Sequence, residues 1–539
     1  MQAQIVRHVN ISLPVDHFTP SDDRTFENRY WYNDTYYKPG GPIILYDYGE
    51  AGIEEETAAS VLATEDENFS PPLELAKVHH GLALLWEHRF YGMSQPCPVN
   101  SDSVANVQRN CSYQYLTVDQ ALEDVVYFAH HPNFPGYSAL QLESMSASNS
   151  PWVFIGGSYA GARAGWLRVR NPETIYAAWS SSGTVAPLVD DSSYFNTQAR
   201  TLAPNCSADV DAALSYIDAT LGGSDTNAAQ DMRIRLATAA RAQQEGFNVS
   251  EIGPGEANGI SSYNLVNSAI SAFVGDFQYA GPSNAFCDHL EQFNASAIMP
   301  EADIAAVIAN TGRIVPRDDG LIGSGFDVRI VANAYLWATV AQAQHMDPSV
   351  TMSKTRERRF TDPDVSSADF NFGWTILTET GAFQSWTPEY ALHQANKSVL
   401  SRFADQTTLR ENYITAFPGV AIDMIPPSPN ITSVLKYGGW NMSPSNVMFT
   451  VGQYDPWRPF TLFSEDQEIG APLRDVTHSI PRCQTPPSGS RVFGLVYANE
   501  AHVSDGTISR AELKADSPSK AGFDLFSSAL AEWLPCFGL

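Results

Sequence analysis

Several features common in other sequences are missing from this one. No run of about 18 apolar residues exists, so no segment is predicted to span a membrane as a helix. No C-x-x-C pair and no complete phosphate-binding motif occur, which disfavours a cysteine metal site and a nucleotide site. Basic residues are scarce, since 32 Lys and Arg stand against 60 Asp and Glu, for a formal net charge of -28. Nucleic acids and anionic membranes require a basic surface, so neither is expected as a partner.

The length and composition predict a large globular protein. With 539 residues, of which 43% are hydrophobic and 17% charged, the chain can bury a sizeable core and form roughly two to four domains. Its acidity suits an acidic compartment, where carboxylates become protonated and the self-repulsion of the chain relaxes. Solubility alone would explain the same charge, and both interpretations stay open.

Cysteines and glycosylation sequons indicate passage through a secretory pathway. The six cysteines are even in number and dispersed, and we expect the disulfides Cys97–Cys111, Cys206–Cys287 and Cys483–Cys536. N-x-[ST] sequons are dense, and they begin at Asn10, Asn33, Asn68, Asn110, Asn205, Asn248, Asn294, Asn396, Asn430 and Asn441. The expected location is therefore extracellular or vacuolar/lysosomal.

A glycine-flanked serine follows an apolar run in the middle of the first half of the chain. Residues 153–155 predict a short buried strand, and Gly156, Gly157 and Gly161 allow a sharp turn into a helix. This is the pattern of a nucleophile elbow, with Ser158 as the nucleophile, although Ala160 replaces the second glycine of G-x-S-x-G. The alternative is an ordinary strand-to-helix turn whose serine caps the helix.

An oxyanion hole would need backbone N–H groups beside that serine. The buried strand 41–48 ends in a glycine loop, so we expect one donor among the amides of Gly49, Glu50 and Ala51, and the other at Tyr159. An ordinary strand-end turn is the alternative for this loop.

An acid and a histidine follow two later strands. Asp455 comes after the apolar strand 445–452, and His502 comes after the strand 491–497. The order Ser158, Asp455, His502, each just after a strand, is that of α/β-hydrolases. Taken alone, Asp455 could be a turn residue and His502 a surface histidine. Among the other histidines, His478 is the nearest alternative to His502 as the catalytic base, but no apolar strand precedes it.

Alternating strands and helices predict an α/β fold with a mostly parallel sheet and an inserted helical cap. Residues 26–32 predict a strand of an antiparallel N-terminal hairpin, and Thr117 is the expected cap of a helix that follows it. We expect a first hydrolase part at 1–186, the cap at 187–440 and a second hydrolase part at 441–539. Helical stripes in the cap cover 209–221, 228–244, 304–310 and 331–345. In the hydrolase part, Glu87 and Arg89 are expected to form a buried pair that braces the site, and His88 is expected to be structural.

The motifs together resemble one family of serine carboxypeptidases, which includes lysosomal Pro-Xaa carboxypeptidase, the lysosomal-type dipeptidyl peptidase that cleaves after proline, and fungal acid prolyl endopeptidases. The motifs lie along nearly the whole hydrolase part, and they are Gly156–Gly161, Glu87–Gly92, Tyr115–Thr117 with Gln120–Leu122, Gly452–Trp457 and His502. In the cap only Trp374 with Thr378 and Glu379 resembles the family.

This resemblance implies an α/β-hydrolase with a helical cap that cleaves on the carboxyl side of proline in acid. Ser158, His502 and Asp455 would be catalytic, without a metal or other cofactor, and the partners would be proline-containing peptides or proteins. Trp457, Trp440 and Trp374 are the expected substrate-binding residues, because tryptophans near these motifs wall the family's proline pocket. An esterase or lipase and a non-catalytic adhesion module are the alternatives. Endopeptidase, carboxypeptidase and dipeptidyl peptidase action stay open, as does a homodimer.

Overall fold

A nine-stranded mixed sheet forms the centre of one of the two units of the computed structural model. The structure describes residues 6–63, 68–96, 113–245, 250, 252–280, 284–291, 319–345, 367–386, 399–415, 417, 424–506, 508–509, 513 and 517–538. Among these residues no helix has both the length and the apolar character needed to cross a bilayer.

The strands of this sheet run mostly parallel. In chain order they are β1 Arg7–Pro14, β2 Thr25–Asn33, β3 Ile43–Asp47, β5 Leu82–Trp86, β6 Trp152–Gly157, β7 Ile175–Ser181, β8 Val447–Gly452, β9 Val476–Thr477 and β10 Val492–Tyr497. Two short strands, β4 Asn68–Phe69 and β11 Ile508–Ser509, pair separately. The order across the sheet is β1-β2-β5-β3-β6-β7-β8-β10-β9, and only the β1-β2 and β2-β5 pairs are antiparallel. The predicted α/β-hydrolase class, including its N-terminal hairpin, is confirmed.

Helices cover both faces of the sheet because its central strands are apolar on both sides. The helices of this unit are Glu55–Leu62, Pro71–His79, Val118–His130, Ala139–Met145, Ser158–Arg170, Ser367–Thr375, Thr432–Leu435 and Pro518–Trp533, with a π-helix at Ile376–Thr380. Thr117 caps the third of these as predicted, since its hydroxyl accepts the N–H of Gln120. Successive residues of β3 enter different cores, with Ile43 and Leu45 in one and Ile44 in the other. The two cores fix the sheet from both sides.

The second unit is helical and comprises Asp190–Arg359 and Phe383–Asn412. Its helices are Ser193–Thr201, Pro204–Leu221, Thr226–Glu245, Pro254–Asn258, Ser262–Ala280, Asn284–Glu291, Gly320–Gly323 and Val328–His345, and Gln406–Thr415 begins in it. Three of the predicted helical stripes lie inside these helices, and the stripe at 304–310 lies outside the described residues. The expected cap at 187–440 was a single block, whereas Phe360–Ala382 and Tyr413–Leu539 group with the sheet.

Two of the three expected disulfides are present. Cys206–Cys287 has an S–S distance of 2.06 Å within the helical unit, and Cys483–Cys536 joins a loop of the sheet unit to its last turn. The expected pair Cys97–Cys111 lies outside the described residues. Among the sequons, Asn10 is exposed on the edge strand β1, whereas Asn33 is buried and donates its side-chain N–H to Leu62 O at 2.8 Å.

Candidate active site

Ser158 occupies a sharp turn between β6 and the helix Ser158–Arg170. Its φ of 56° is left-handed, a conformation that a non-glycine residue adopts only where its surroundings impose it. Neighbouring glycines make the turn possible by close backbone packing. A Cβ on Gly156 would lie 2.4 Å from Ala160 O, and one on Gly161 would lie 2.3 Å from Ser181 O. The local geometry is that of a nucleophile elbow, with a partly exposed serine at the helix start.

His502 is paired with a buried carboxylate. Its Nδ1 lies 2.9 Å from both Oδ1 and Oδ2 of Asp455, and the two side chains are almost fully buried. Asp455 Oδ1 also accepts the N–H of Trp457 at 2.8 Å, which fixes the carboxylate. Because a carboxylate only accepts hydrogen bonds, Nδ1 carries the proton and Nε2 is the basic nitrogen of the neutral imidazole.

The elbow and the His502 loop touch each other. A Cβ on Gly157 would lie only 2.7 Å from Val503 Cγ1, so the residue before Ser158 packs against the residue after His502. The strands that precede the three residues, β6, β8 and β10, are parallel members of one sheet, so their carboxyl ends lie along one edge. The structure thus brings Ser158, Asp455 and His502 together at that edge, as the sequence predicts.

Two loops meet where an oxyanion would form. The N-cap residue of the nucleophile helix is Gly157, which has no side chain, so Tyr159 N–H lies in a helix start without a side-chain cap. Gly49 packs against Ala160, to which an added Cβ would be 3.4 Å. Its amide, however, donates to Asp47 Oδ1 at 3.2 Å and is already engaged within its own loop. Of the expected donors, Tyr159 therefore fits better than Gly49, and the amide of Glu50 interacts with its own carboxyl group.

Glu50 also brings an acidic side chain to this region. Burial raises the pKa of its carboxyl to about 7, against the opposing effects of its own backbone N–H and of His502. Glu50 therefore lies near enough to His502 to interact with it electrostatically. The sequence analysis considered only its backbone amide.

Buried ion pairs brace the loops around the site, but not in the predicted pairing. Glu87 and Arg89 do not pair with each other. Glu87 accepts from Arg29, from the N–H of Ile53 at 2.9 Å and from Ser94, so it links the loop after β3 to the loop after β5. Arg89 instead binds both carboxylate oxygens of Asp124 at 2.6 Å. Only His88 separates the two residues in the chain, yet their side chains bind different partners.

Two further contacts fix the nucleophile helix. Arg163 forms a fully buried ion pair with Asp47 at the end of β3, so the helix is tied to the loop that carries Glu50. His88 Nε2 lies 3.3 Å from the hydroxyl of Tyr159, while its Nδ1 lies 2.6 Å from Arg89 O. Desolvation, aided by the nearby positive charge of Arg163, holds the pKa of His88 well below its usual range, so it is neutral. The structural interpretation of His88 fits these contacts.

The three expected substrate-binding tryptophans differ in position. The ring of Trp457 is partly exposed and lies 6.4 Å from that of His502. Trp440 is also partly exposed, and its indole N–H donates to Pro459 O at 3.0 Å. Trp374 is only 3% exposed and packs against Tyr113 and Phe417. Trp457 is thus the one of the three in ring contact with the triad.

The mixed sheet, the elbow and the histidine–carboxylate pair at one sheet edge define the class of the protein, an α/β-hydrolase. The family model described as Serine carboxypeptidase S28 matches residues 13–269. Residues 13–269 are thus similar to that family of serine carboxypeptidases, and the resemblance of the motifs is confirmed.

Individual proteins are similar to this chain over different lengths. A probable extracellular serine carboxypeptidase of Arthroderma benhamiae is 34% identical over 194 residues, which are 34% of this chain and 24% of that protein. The serine protease vicPa of Bipolaris victoriae is 27% identical over 480 residues, 84% of this chain and 77% of that protein. The thymus-specific serine protease of Mus musculus is 35% identical over 194 residues, 36% of this chain and 33% of that protein.

The packing of the elbow predicts different effects for alanine at two glycines of the nucleophile helix. In Gly161→Ala the new methyl group meets the rigid backbone at Ser181 O, so the helix start must shift and Ser158 with it. Since a misplacement of about 1 Å can cost about 100-fold in rate, we expect labelling of Ser158 by a fluorophosphonate to slow by about 10- to 100-fold.

The matched control is Gly165→Ala in the same helix. There the nearest atom is Met442 Sδ at 3.2 Å, at the end of a flexible side chain. Labelling should stay within about threefold of the unmodified protein, and helix propensity should offset any small loss of stability. Equal labelling rates in the two variants would contradict the close packing described for Gly161.

Proposed function

We propose that this protein is a serine peptidase that uses Ser158, His502 and Asp455. The observation that carries the proposal is the pairing of His502 Nδ1 with both oxygens of buried Asp455, beside a serine held on a left-handed elbow. A serine hydroxyl is a weak nucleophile and needs such a base and such an exposed turn. The similarity to serine carboxypeptidases supports a peptide bond as the substrate.

The proposed reaction follows from the protonation states. Ser158 Oγ attacks the carbonyl carbon of the substrate while His502 Nε2 accepts the hydroxyl proton. Asp455 stabilises the imidazolium that forms, and the amide of Tyr159 donates to the oxyanion. His502 then gives its proton to the leaving amine, which leaves an acyl-enzyme on Ser158. Water, deprotonated by His502, hydrolyses that ester and restores the serine.

We further propose cleavage on the carboxyl side of proline. The pyrrolidine ring is rigid and apolar and its nitrogen has no hydrogen to donate, so a flat aromatic wall suits it. Trp457 offers such a wall because its ring is partly exposed and in contact with that of His502. Trp440 hydrogen-bonds Pro459 in the turn after Trp457 and supports the same region. Trp374, which is buried, would act only through its neighbours.

An acidic working environment, in a secreted or vacuolar setting, is the third part of the proposal. Burial raises the pKa of several carboxyl groups, which are Glu50, Asp209, Asp218, Glu379 and Glu500. Such groups are buried at lower cost when they are protonated. The paired cysteines support an oxidising compartment.

The first test is of the triad. Asp455→Asn should lower kcat on a proline peptide by about 10⁴-fold, because the imidazole loses its orientation and correct tautomer, and Ser158→Ala should abolish fluorophosphonate labelling. Asp466→Asn is the matched control, since Asp466 is another buried aspartate of the loop that follows, and its kcat should stay within about twofold.

The same assay separates the alternatives. Mass spectrometry of a proline peptide, free or blocked at either end, reports the bond cleaved and the terminus required. Turnover of esters without cleavage of any peptide would favour an esterase or lipase. If the unmodified protein is not labelled at Ser158, both enzymatic functions are excluded and the adhesion module is left.

The second test is of the proline pocket. Trp457→Ala should lower kcat/KM for proline substrates by about 10- to 200-fold relative to alanine substrates, because a stacked ring contact of about 1–3 kcal/mol is lost. Trp457→Phe keeps a flat ring and should retain most of the selectivity. Labelling of Ser158 should stay intact in both. Full proline selectivity in Trp457→Ala and in Trp440→Ala would place the pocket elsewhere.

The third test is of stability against pH. Burial raises the pKa of Glu50 and of Glu379 to about 7 from 4.5, so the folded state binds protons that the unfolded state releases. The free energy of unfolding should therefore rise as pH falls from about 7 to about 4.5. At lower pH the trend should reverse, because ion pairing and hydrogen bonding lower the pKa of groups such as Asp22 and Asp124.

Thermal unfolding between pH 4 and pH 8 measures this dependence. We expect a Tm several degrees higher at pH 5 than at pH 7.5. Glu379 accepts the N–H of Val118 at 2.7 Å, and Glu379→Gln keeps an acceptor without the charge, so it should reduce the difference. A Tm that rises steadily from pH 5 to pH 7.5 would contradict the proposal of an acidic environment.

A further inference from the structure

Asp505 is a buried carboxyl group that the reaction above does not use. It lies in the segment after His502, and it is only 3% exposed. Three hydroxyl groups from three neighbouring parallel strands donate to it: those of Ser181 at the end of β7, Thr450 in β8 and Tyr497 at the end of β10. One side chain of the His502 loop is therefore anchored to three strand ends at the edge that carries the candidate triad.

One of these donors has a further partner. The indole N–H of Trp179 donates to Thr450 Oγ1 at 3.0 Å, which leaves the hydroxyl hydrogen of Thr450 available to donate to Asp505. Trp179 is itself fully buried in β7. The indole of Trp179, the hydroxyl of Thr450 and the carboxyl group of Asp505 thus form a short chain of hydrogen bonds.

The residue between this anchor and His502 has a strained backbone. Val503 has a φ of 51°, and a β-branched side chain in the left-handed region is strained and persists only when the surroundings impose it. The surroundings here are the hydroxyl of Ser182, which accepts Val503 N–H at 3.0 Å, and the anchor at Asp505. The side chain of Val503 packs closely against Gly157, the residue before Ser158.

A small cavity gives the strained segment room to relax. Its volume is about 20 Å³, and its lining includes Gly156, Gly157, Ser181, Val503 and Asp505. The void lies between the anchor and the underside of the elbow. Without the anchor, Val503 could move into this space and change the position of His502 relative to Ser158.

We infer that Asp505 is a positioning residue for catalysis, which holds the segment from His502 to Asp505 on the strand ends and so sets the placement of His502 against Ser158. This role rests on the proposed function of the triad. Asp505 is held by the strands and lies three residues after His502 in the chain, so it acts through the backbone of their loop. Asp505 holds the loop that carries His502, whereas Asp455 holds the imidazole ring of His502.

The experiment compares Asp505→Asn with two other variants. Asp505→Asn keeps the volume but turns one acceptor oxygen into a donor that faces hydroxyl donors, which disrupts the anchor. Tyr497→Phe removes one of the three hydroxyl groups and leaves the rest of the fold in place. Asp209→Asn is the matched control, because Asp209 is a fully buried aspartate of the helical unit with a burial-raised pKa, and it accepts the amides of Leu321 and Ile322 at 2.8 Å.

The measured quantities are the labelling rate, kcat and KM, each expressed per molecule whose Ser158 can be labelled. Active-site titration counts the molecules that fluorophosphonate can label, and the labelling rate, kcat and KM are then expressed per competent site. We expect Asp505→Asn to lower kcat and the labelling rate by about 10- to 100-fold with KM within about twofold, and Tyr497→Phe to lower them by about 2- to 10-fold. Asp209→Asn should change only the Tm and the number of competent sites.

The outcomes separate this inference from the proposed function. If Asp505→Asn and Tyr497→Phe, like Asp209→Asn, lose competent sites but keep normal rates per site, Asp505 is only structural and the inference is overturned, while the triad stands. If Asp505→Asn does not fold, the rate in Tyr497→Phe decides. If the unmodified protein is not labelled at Ser158, the proposed function and the inference both fail.

Discussion

The parallel arrangement of β6, β8 and β10 is the constraint on which the rest of the site depends. Parallel strands end at the same edge of a sheet, so residues far apart in the chain, namely Ser158, Asp455 and His502, meet there. The sheet can hold them in place because apolar side chains are buried on both of its faces. Large fully buried rings, among them Trp86, Trp152, Trp179 and Trp533, leave the strand ends little freedom to move.

Loops at that edge carry the chemical groups, and buried polar contacts hold each of them. Glu87 accepts the backbone N–H of Ile53 in the loop after β3. Arg163 connects the nucleophile helix to Asp47, and Asp505 anchors the loop of His502. Breaking a buried ion pair by removing one partner commonly costs about 3–5 kcal/mol, so the Arg163–Asp47 pair makes the position of the nucleophile helix costly to change. The strained φ values of Ser158 and Val503 persist because these contacts fix the chain on either side.

The sequence by itself determined the class of the fold, and it predicts the three members of the candidate triad. Apolar runs followed by turns predict the strands. The order serine, acid, histidine, with each residue just after a strand, can be recognised in a single sequence. Thr117 as a helix cap and the pairs Cys206–Cys287 and Cys483–Cys536 were also predicted correctly. Each of these rests on a local pattern or on the count and spacing of cysteines, and needs no knowledge of neighbours in space.

Only the tertiary structure decided which partners the buried charges take and which amides stay available. Glu87 and Arg89 are separated by one residue, and the sequence suggested that they pair, yet they bind Arg29 and Asp124 from distant segments. The engagement of Gly49 by Asp47, the elevated pKa of Glu50 and the anchoring of Asp505 had no sequence signal beyond an acidic residue near a strand end. The physical reason is that desolvation and hydrogen bonding depend on the neighbours in space, which the packing of the whole sheet brings together.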